Sequence, residues 1–123
     1  MSALPERLSR PPRPGILEMP GDEAVLPAGS RLADEERSGR QCFVIIDGRA
    51  AVERGGARLR GLGSGDFVGR VDAAGGPLPP AGVTVRLETR ARVLVIDSGR
   101  LAALIEAEPA VAAAWRSLIA SAG

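Results

Sequence analysis

The sequence predicts a mainly β chain, an antiparallel roll closed by C-terminal helices, and three observations carry that expectation. Glycines fall at Gly29, Gly39, Gly48, Gly55 with Gly56, Gly65, Gly76 and Gly82, and turn signals about every eight to twelve residues mark all-β barrels and sandwiches. Short apolar or alternating runs lie between those glycines. Beyond Asp97 the apolar spacing changes from the strand period to the helical one.

The clearest local signal is "QCFVIIDGRAAVERGGARLRGLG", residues 41–63. It predicts strands at 41–46, 50–54 and 57–62, with Asp47-Gly48 and Gly55-Gly56 as two-residue turns that reverse adjacent antiparallel strands. Cys42 to Ile46 is apolar at every position, so this strand is expected to be buried on both faces. "AAGGPLPPAG" (73–82) breaks helix and strand alike and is expected to form a loop or one weak turn. Two valine-rich strands follow, "VTVRLET" and "RVLVID".

In "SGRLAALIEAEPAVAAAWRSLIASAG" the residues Leu101, Leu104 and Ile105 share one helical face, as do Val111, Trp115, Leu118 and Ile119. Ser98 is the expected N-cap of the first helix, and Pro109 suits the first turn of the second. At the other end, residues 1–18 form a Pro/Arg-rich arm preceding a single unit at 19–123. Its prolines favour an extended conformation over helix or sheet. Two readings of the arm stay open, a solvated tail and a docking strap centred on Arg10, Pro11, Pro12 and Arg13.

Composition excludes several classes of function. At 123 residues, 45% of them hydrophobic, the chain suits one globular domain. A formal net charge of +1 gives no bulk attraction to nucleic acid or anionic lipid. Histidine is absent, which removes the commonest near-neutral general base, the Ser/His/Asp and Cys/His nucleophile systems and the usual transition-metal ligand. Cys42 is the single cysteine, so an internal disulfide or a cysteine metal site cannot form; it reads as a small buried hydrophobe. The N-terminus lacks a secretory signal's apolar stretch, and no segment approaches the roughly 20 apolar residues of a membrane span. The expected location is the cytoplasm.

The order of motifs resembles the cyclic nucleotide-binding domain, the regulatory module of catabolite-activator-type transcription factors, nucleotide-dependent kinases and gated channels. "LPAGSRL" (26–32) looks like the family's opening turn and "GRQCFVIIDGRAAV" (39–52) like its central hairpin. "LGSGDFVG" (62–69) looks like the approach to its phosphate-binding cassette, and "GVTVRLETRARVLVIDSGRLAALIEAEP" (82–109) like its last strands and following helix. The resemblance spans about residues 20 to 120 and implies a jelly roll (double-stranded β-helix) with C-terminal helices. It places the ligand pocket at Gly65, Asp66, Gly69, Arg70, Ala81, Gly82, Val83 and Thr84.

Two departures matter. Where the family has a ribose-binding glutamate after Gly69, this chain has Arg70, and where it has a phosphate-binding arginine, this chain has Ala81. A charge-assisted hydrogen bond contributes roughly 1.5–3 kcal/mol, so losing both grips weakens cyclic nucleotide binding by a few powers of ten. Arg70 is expected to turn outward or pair with Asp66 or Asp72, with a new contact to a small anion as the other reading. Arg86, Arg90 and Arg92 are expected to reach mostly to solvent.

The first functional expectation is therefore a stand-alone, non-catalytic module without cofactor. It would act through protein contacts, with a partner or a second copy, as an adaptor or structural component of an assembly. Its surfaces would be the arm and the stripe Val111, Trp115, Leu118 and Ile119, unless that stripe packs on its own roll. DNA binding is not expected, because no recognition helix follows in this sequence. The second expectation is a regulatory sensor of a cyclic nucleotide or another small anion. A metal enzyme of the related double-stranded β-helix class lacks the histidines it needs.

Overall fold

A computed structural model describes residues 19–36 and 39–122. The ten strands among the described residues are β1 (Asp22–Leu26), β2 (Arg31–Ala33), β3 (Gln41–Asp47), β4 (Ala50–Arg54), β5 (Ala57–Leu62), β6 (Phe67–Val68), β7 (Arg70–Val71), β8 (Pro77–Leu78), β9 (Thr84–Leu87) and β10 (Ala91–Asp97). Helices α1 (Ser98–Ala107) and α2 (Pro109–Ala122) follow. Two four-stranded sheets, ordered β1-β10-β3-β6 and β2-β9-β4-β5, pack as a roll, with β7 and β8 as a separate ribbon. Every strand pairing is antiparallel. The mainly β jelly roll with C-terminal helices is the predicted fold.

The continuous apolar run of β3 follows from its position between two cores. Phe43 and Ile45 face the space between the sheets, with Leu62, Val68, Val85, Leu87 and Val93. Val44 and Ile46 face the opposite way, onto Leu101, Trp115 and Leu118 of the helices. Alternating side chains thus serve both layers, which is why polar residues are excluded from Cys42 to Ile46.

The two glycine turns have different roles. Gly55-Gly56 closes a tight hairpin, with Arg54 opposite Ala57 and both glycines at positive φ (57° and 82°). Asp47-Gly48 does not: β3 pairs with β10 and β6, whereas β4 pairs with β5 and β9. The turn carries the chain from one sheet to the other, and Gly48 (φ 122°) passes directly against Ala91. A sequence pair that favours reversal leaves open which strands pair afterwards.

Two further expectations are corrected. The segment expected as a loop contains β8, paired to β7 with Arg70 opposite Leu78 and Val71 opposite Pro77. Asp72 builds the turn between them, its Oδ1 accepting the N–H groups of Ala74 (3.0 Å) and Gly76 (2.6 Å). The N-cap of α1 is Asp97, not Ser98; its carboxylate accepts the Arg100 N–H at 2.8 Å. Ser98 is buried instead, its Oγ 2.9 Å from the Cys42 sulfur. Asp97→Ala is expected to cost about 0.5–2 kcal/mol, read as a shift of the urea midpoint at unchanged slope. Pro109 opens α2 as expected.

Trp115 joins the helices to the roll. It is 3% exposed, its ring meets Phe67 edge to face at 5.0 Å, and its Nε1 donates to the Gly75 carbonyl at 2.7 Å. Leu118 is buried beside it, with Val111 and Ile119 packed against the same core. The stripe is therefore occupied by its own domain and is not an open docking face. The arm, including Arg10, Pro11, Pro12 and Arg13, lies outside the described residues. No helix among the described residues is long and apolar enough to cross a membrane.

Candidate functional site

A cavity of about 290 Å³ opens among β4, β5, β6, β7, β9 and the segment 79–82. Leu62, Val68 and Val85, all buried, form its apolar floor. Pro80 and Ala81 form one rim. Three arginines, Arg54, Arg60 and Arg70, stand at its mouth, exposed, and none of its described lining residues is acidic.

Two of these arginines brace the rim. Arg54 Nε donates to the Gly82 carbonyl at 3.1 Å, and Arg70 Nε to the Pro79 carbonyl at 2.9 Å. Arg70 therefore pairs with neither Asp66 nor Asp72, whose carboxylates are engaged elsewhere. Asp66 Oδ2 accepts the Gly63 N–H at 2.7 Å, and Asp72 caps its own turn. Of the arginines expected to reach solvent, Arg86, Arg90 and Arg92, only Arg90 is exposed. Arg86 and Arg92 are half-buried and ion-paired with Glu53 (3.6 Å) and Glu23 (3.4 Å).

Four of the eight expected pocket residues line the cavity: Gly69, Arg70, Ala81 and Val83. Gly82 sits beside it through its carbonyl, and its positive φ of 73° suits the sharp turn there. Gly65 and Asp66 shape the turn before β6 instead, where Gly65 N–H donates to Ile45 O and Ile45 N–H to Asp66 O. Thr84 faces away, its hydroxyl 3.3 Å from both the Glu35 N–H and the Glu35 carboxylate. Strand alternation is the reason: Val83 and Val85 point into the cavity, so Thr84 between them points out. At Gly69 an added Cβ would lie 2.7 Å from the Phe67 ring, so the close approach of ring and backbone requires glycine.

Arg54 and Arg60 were not legible as pocket residues from motif order. The same alternation carried the signal, since Arg60 shares a face with Leu62 and Arg54 with Val52. What hid them is the fold itself, which wraps β4 and β5 over the cassette segment.

Other chemistry is disfavoured by the environment. Burial pushes the Cys42 thiol up, opposed by its bond to Ser98 and reinforced by the charge of Asp97, so little reactive thiolate forms at neutral pH. Among the described residues no cluster of His, Cys, Asp and Glu has metal-site geometry.

The family model for the cyclic nucleotide-binding domain matches residues 23–108. The chain belongs to this family. The cyclic nucleotide-binding fold is shared with the N-terminal domain of a transcriptional regulator from Streptomyces coelicolor, 24% identical with a TM-score of 0.60 over 82% of this chain and 72% of that one. It is shared with the catabolite activator protein of Thermus thermophilus, 20% identical with a TM-score of 0.60 over 82% of this chain and 49% of that one. A cyclic nucleotide-binding-like protein from Brucella abortus is 20% identical with a TM-score of 0.57, over 70% and 76% respectively. The chain thus spans about half the length of the Thermus protein. No curated protein matches it in sequence. The segment that the resemblance marks as the cassette forms the β7–β8 ribbon, turned at Asp72, with Arg70 on β7 and Ala81 beyond β8.

Proposed function

We propose that this chain is a non-catalytic regulatory module of the cyclic nucleotide-binding family that senses a small anion other than a conventionally held cyclic nucleotide. The observation that carries the reading is the cavity, with three arginines at its mouth and no acid among its described lining residues. Convergent cations over an apolar floor suit an anion with a compact carbon body. The adaptor reading draws less support, because Val111, Trp115, Leu118 and Ile119 are taken up by the domain's own core.

Calorimetric titration tests this. cAMP and cGMP should show no saturation below about millimolar concentration, since two charge-assisted grips are replaced. A small organic anion should bind saturably, and Ala81→Trp, which fills the half-buried rim, should abolish that binding while leaving the circular dichroism spectrum intact. Micromolar cAMP binding would return ordinary nucleotide signalling as the function. Absence of any anion binding would favour the adaptor, with residues 1–18 as the next segment to delete in a pull-down.

A further inference from the structure

The charge distribution around the cavity narrows the class of anion. Among the described residues four of the nine arginines outside the cavity, Arg31, Arg58, Arg86 and Arg92, have carboxylate partners at 3.1 to 3.6 Å. Arg54, Arg60 and Arg70 have none. Arg54 and Arg70 spend only Nε on the rim carbonyls, which leaves their terminal amino groups to donate. Arg60 makes no hydrogen bond or ion pair among the described residues.

Like charges gathered at one mouth repel one another, and a singly charged ligand offsets only one of them. Two negative charges on one small body relieve more of that repulsion and offer more acceptors to planar forks. The volume of about 290 Å³ lies at the lower edge of small-molecule sites. Leu62, Val68 and Val85 provide an apolar surface for a short carbon chain. The cation expected on the cassette at Ala81 is replaced by cations from β4 and β5, so the anionic group is approached from a different wall.

We infer that the cavity selects a small organic dianion, a dicarboxylate or a phosphate monoester, and that Arg60 on β5 is the residue that sets this selectivity. The inference rests on the sensor reading above. Arg54 and Arg70 hold the rim as well as the ligand, whereas Arg60 is committed to nothing else among the described residues. It is therefore the cation whose removal changes recognition with the least change in structure.

The experiment is calorimetry on the full chain with four probes. Succinate and ribose 5-phosphate are the dianions and distinguish carboxylate from phosphate recognition; monomethyl succinate and cAMP are the monoanions. At least one dianion is expected to bind about tenfold tighter than monomethyl succinate, a preference that shrinks as salt is raised. Arg60→Gln should remove the preference. Arg58→Gln, on the same strand but paired with Glu88, should preserve it. Equal binding of succinate and its monomethyl ester, or an unchanged preference in Arg60→Gln, overturns the inference. Saturable binding that Ala81→Trp still blocks would then leave the sensor reading standing. No saturable binding of any of the four probes overturns both.

Discussion

Trp115→Ala is expected to lower the unfolding free energy by roughly 3–5 kcal/mol, the range for truncating a buried large aromatic. Three separate losses combine. The indole is 3% exposed among Val44, Ile46, Leu101 and Leu118, so truncation leaves a void between α2 and the first sheet. Its edge-to-face contact with Phe67 disappears, and the Gly75 carbonyl loses its 2.7 Å donor. A domain of this size has about 5–15 kcal/mol in total, so the variant sits near the folding threshold. Urea denaturation followed by far-ultraviolet circular dichroism gives the number. Trp115→Phe keeps most of the apolar volume and loses the donor, so it should cost about 1–3 kcal/mol. A loss below about 1 kcal/mol in Trp115→Ala would mean that α2 does not seal this face.

Gly48→Ala is expected to be comparably damaging, about 2–6 kcal/mol, for a reason unrelated to burial of apolar area. A Cβ there would lie 2.5 Å from Ala91 Cβ, 2.8 Å from Ala91 Cα and 2.9 Å from the Arg90 carbonyl oxygen. Two of those atoms are backbone and cannot rotate aside. The φ of 122° adds conformational strain of about 1–3 kcal/mol, and the forced separation of neighbours adds about 1–3 kcal/mol. Gly55→Ala is the control. Its φ of 57° is also positive, but an added Cβ meets nothing within 4 Å, so only the backbone cost of about 1–2 kcal/mol remains. If the two variants unfold at the same urea concentration, the sheet-to-sheet crossing does not depend on close approach at Gly48.

These two positions show how differently parts of the molecule were legible. Trp115 stood out as one member of a helical apolar face, but periodicity says only that a face is buried, not what covers it. The covering surface, Phe67 and the Gly75 carbonyl, comes from residues 48 and 40 positions earlier in the chain. Gly48 is half of an Asp-Gly pair, and the pair predicts a hairpin because local propensity encodes reversal. Whether the chain reverses into the same sheet or crosses to the other is set by Ala91 and the register of β10, which are non-local. The pocket repeats the lesson. Gly69, Arg70, Ala81 and Val83 were found because a linear motif points to them. Arg54 and Arg60 enter because antiparallel pairing of Val52 with Arg60 and of Val52 with Val85 lays β4 and β5 alongside β9.

By itself the sequence determined the β-roll with its helical tail and the burial of Cys42 to Ile46 on both faces. Each of these depends on residue type and near-neighbour spacing, which turn geometry and side-chain alternation translate directly. Only the tertiary structure decided that Trp115 is core, that residues 70–78 form a paired ribbon and that three arginines without a carboxylate partner among the described residues line one cavity. Those outcomes depend on distances between segments far apart in the chain, and such distances are set by packing and register after the elements have formed.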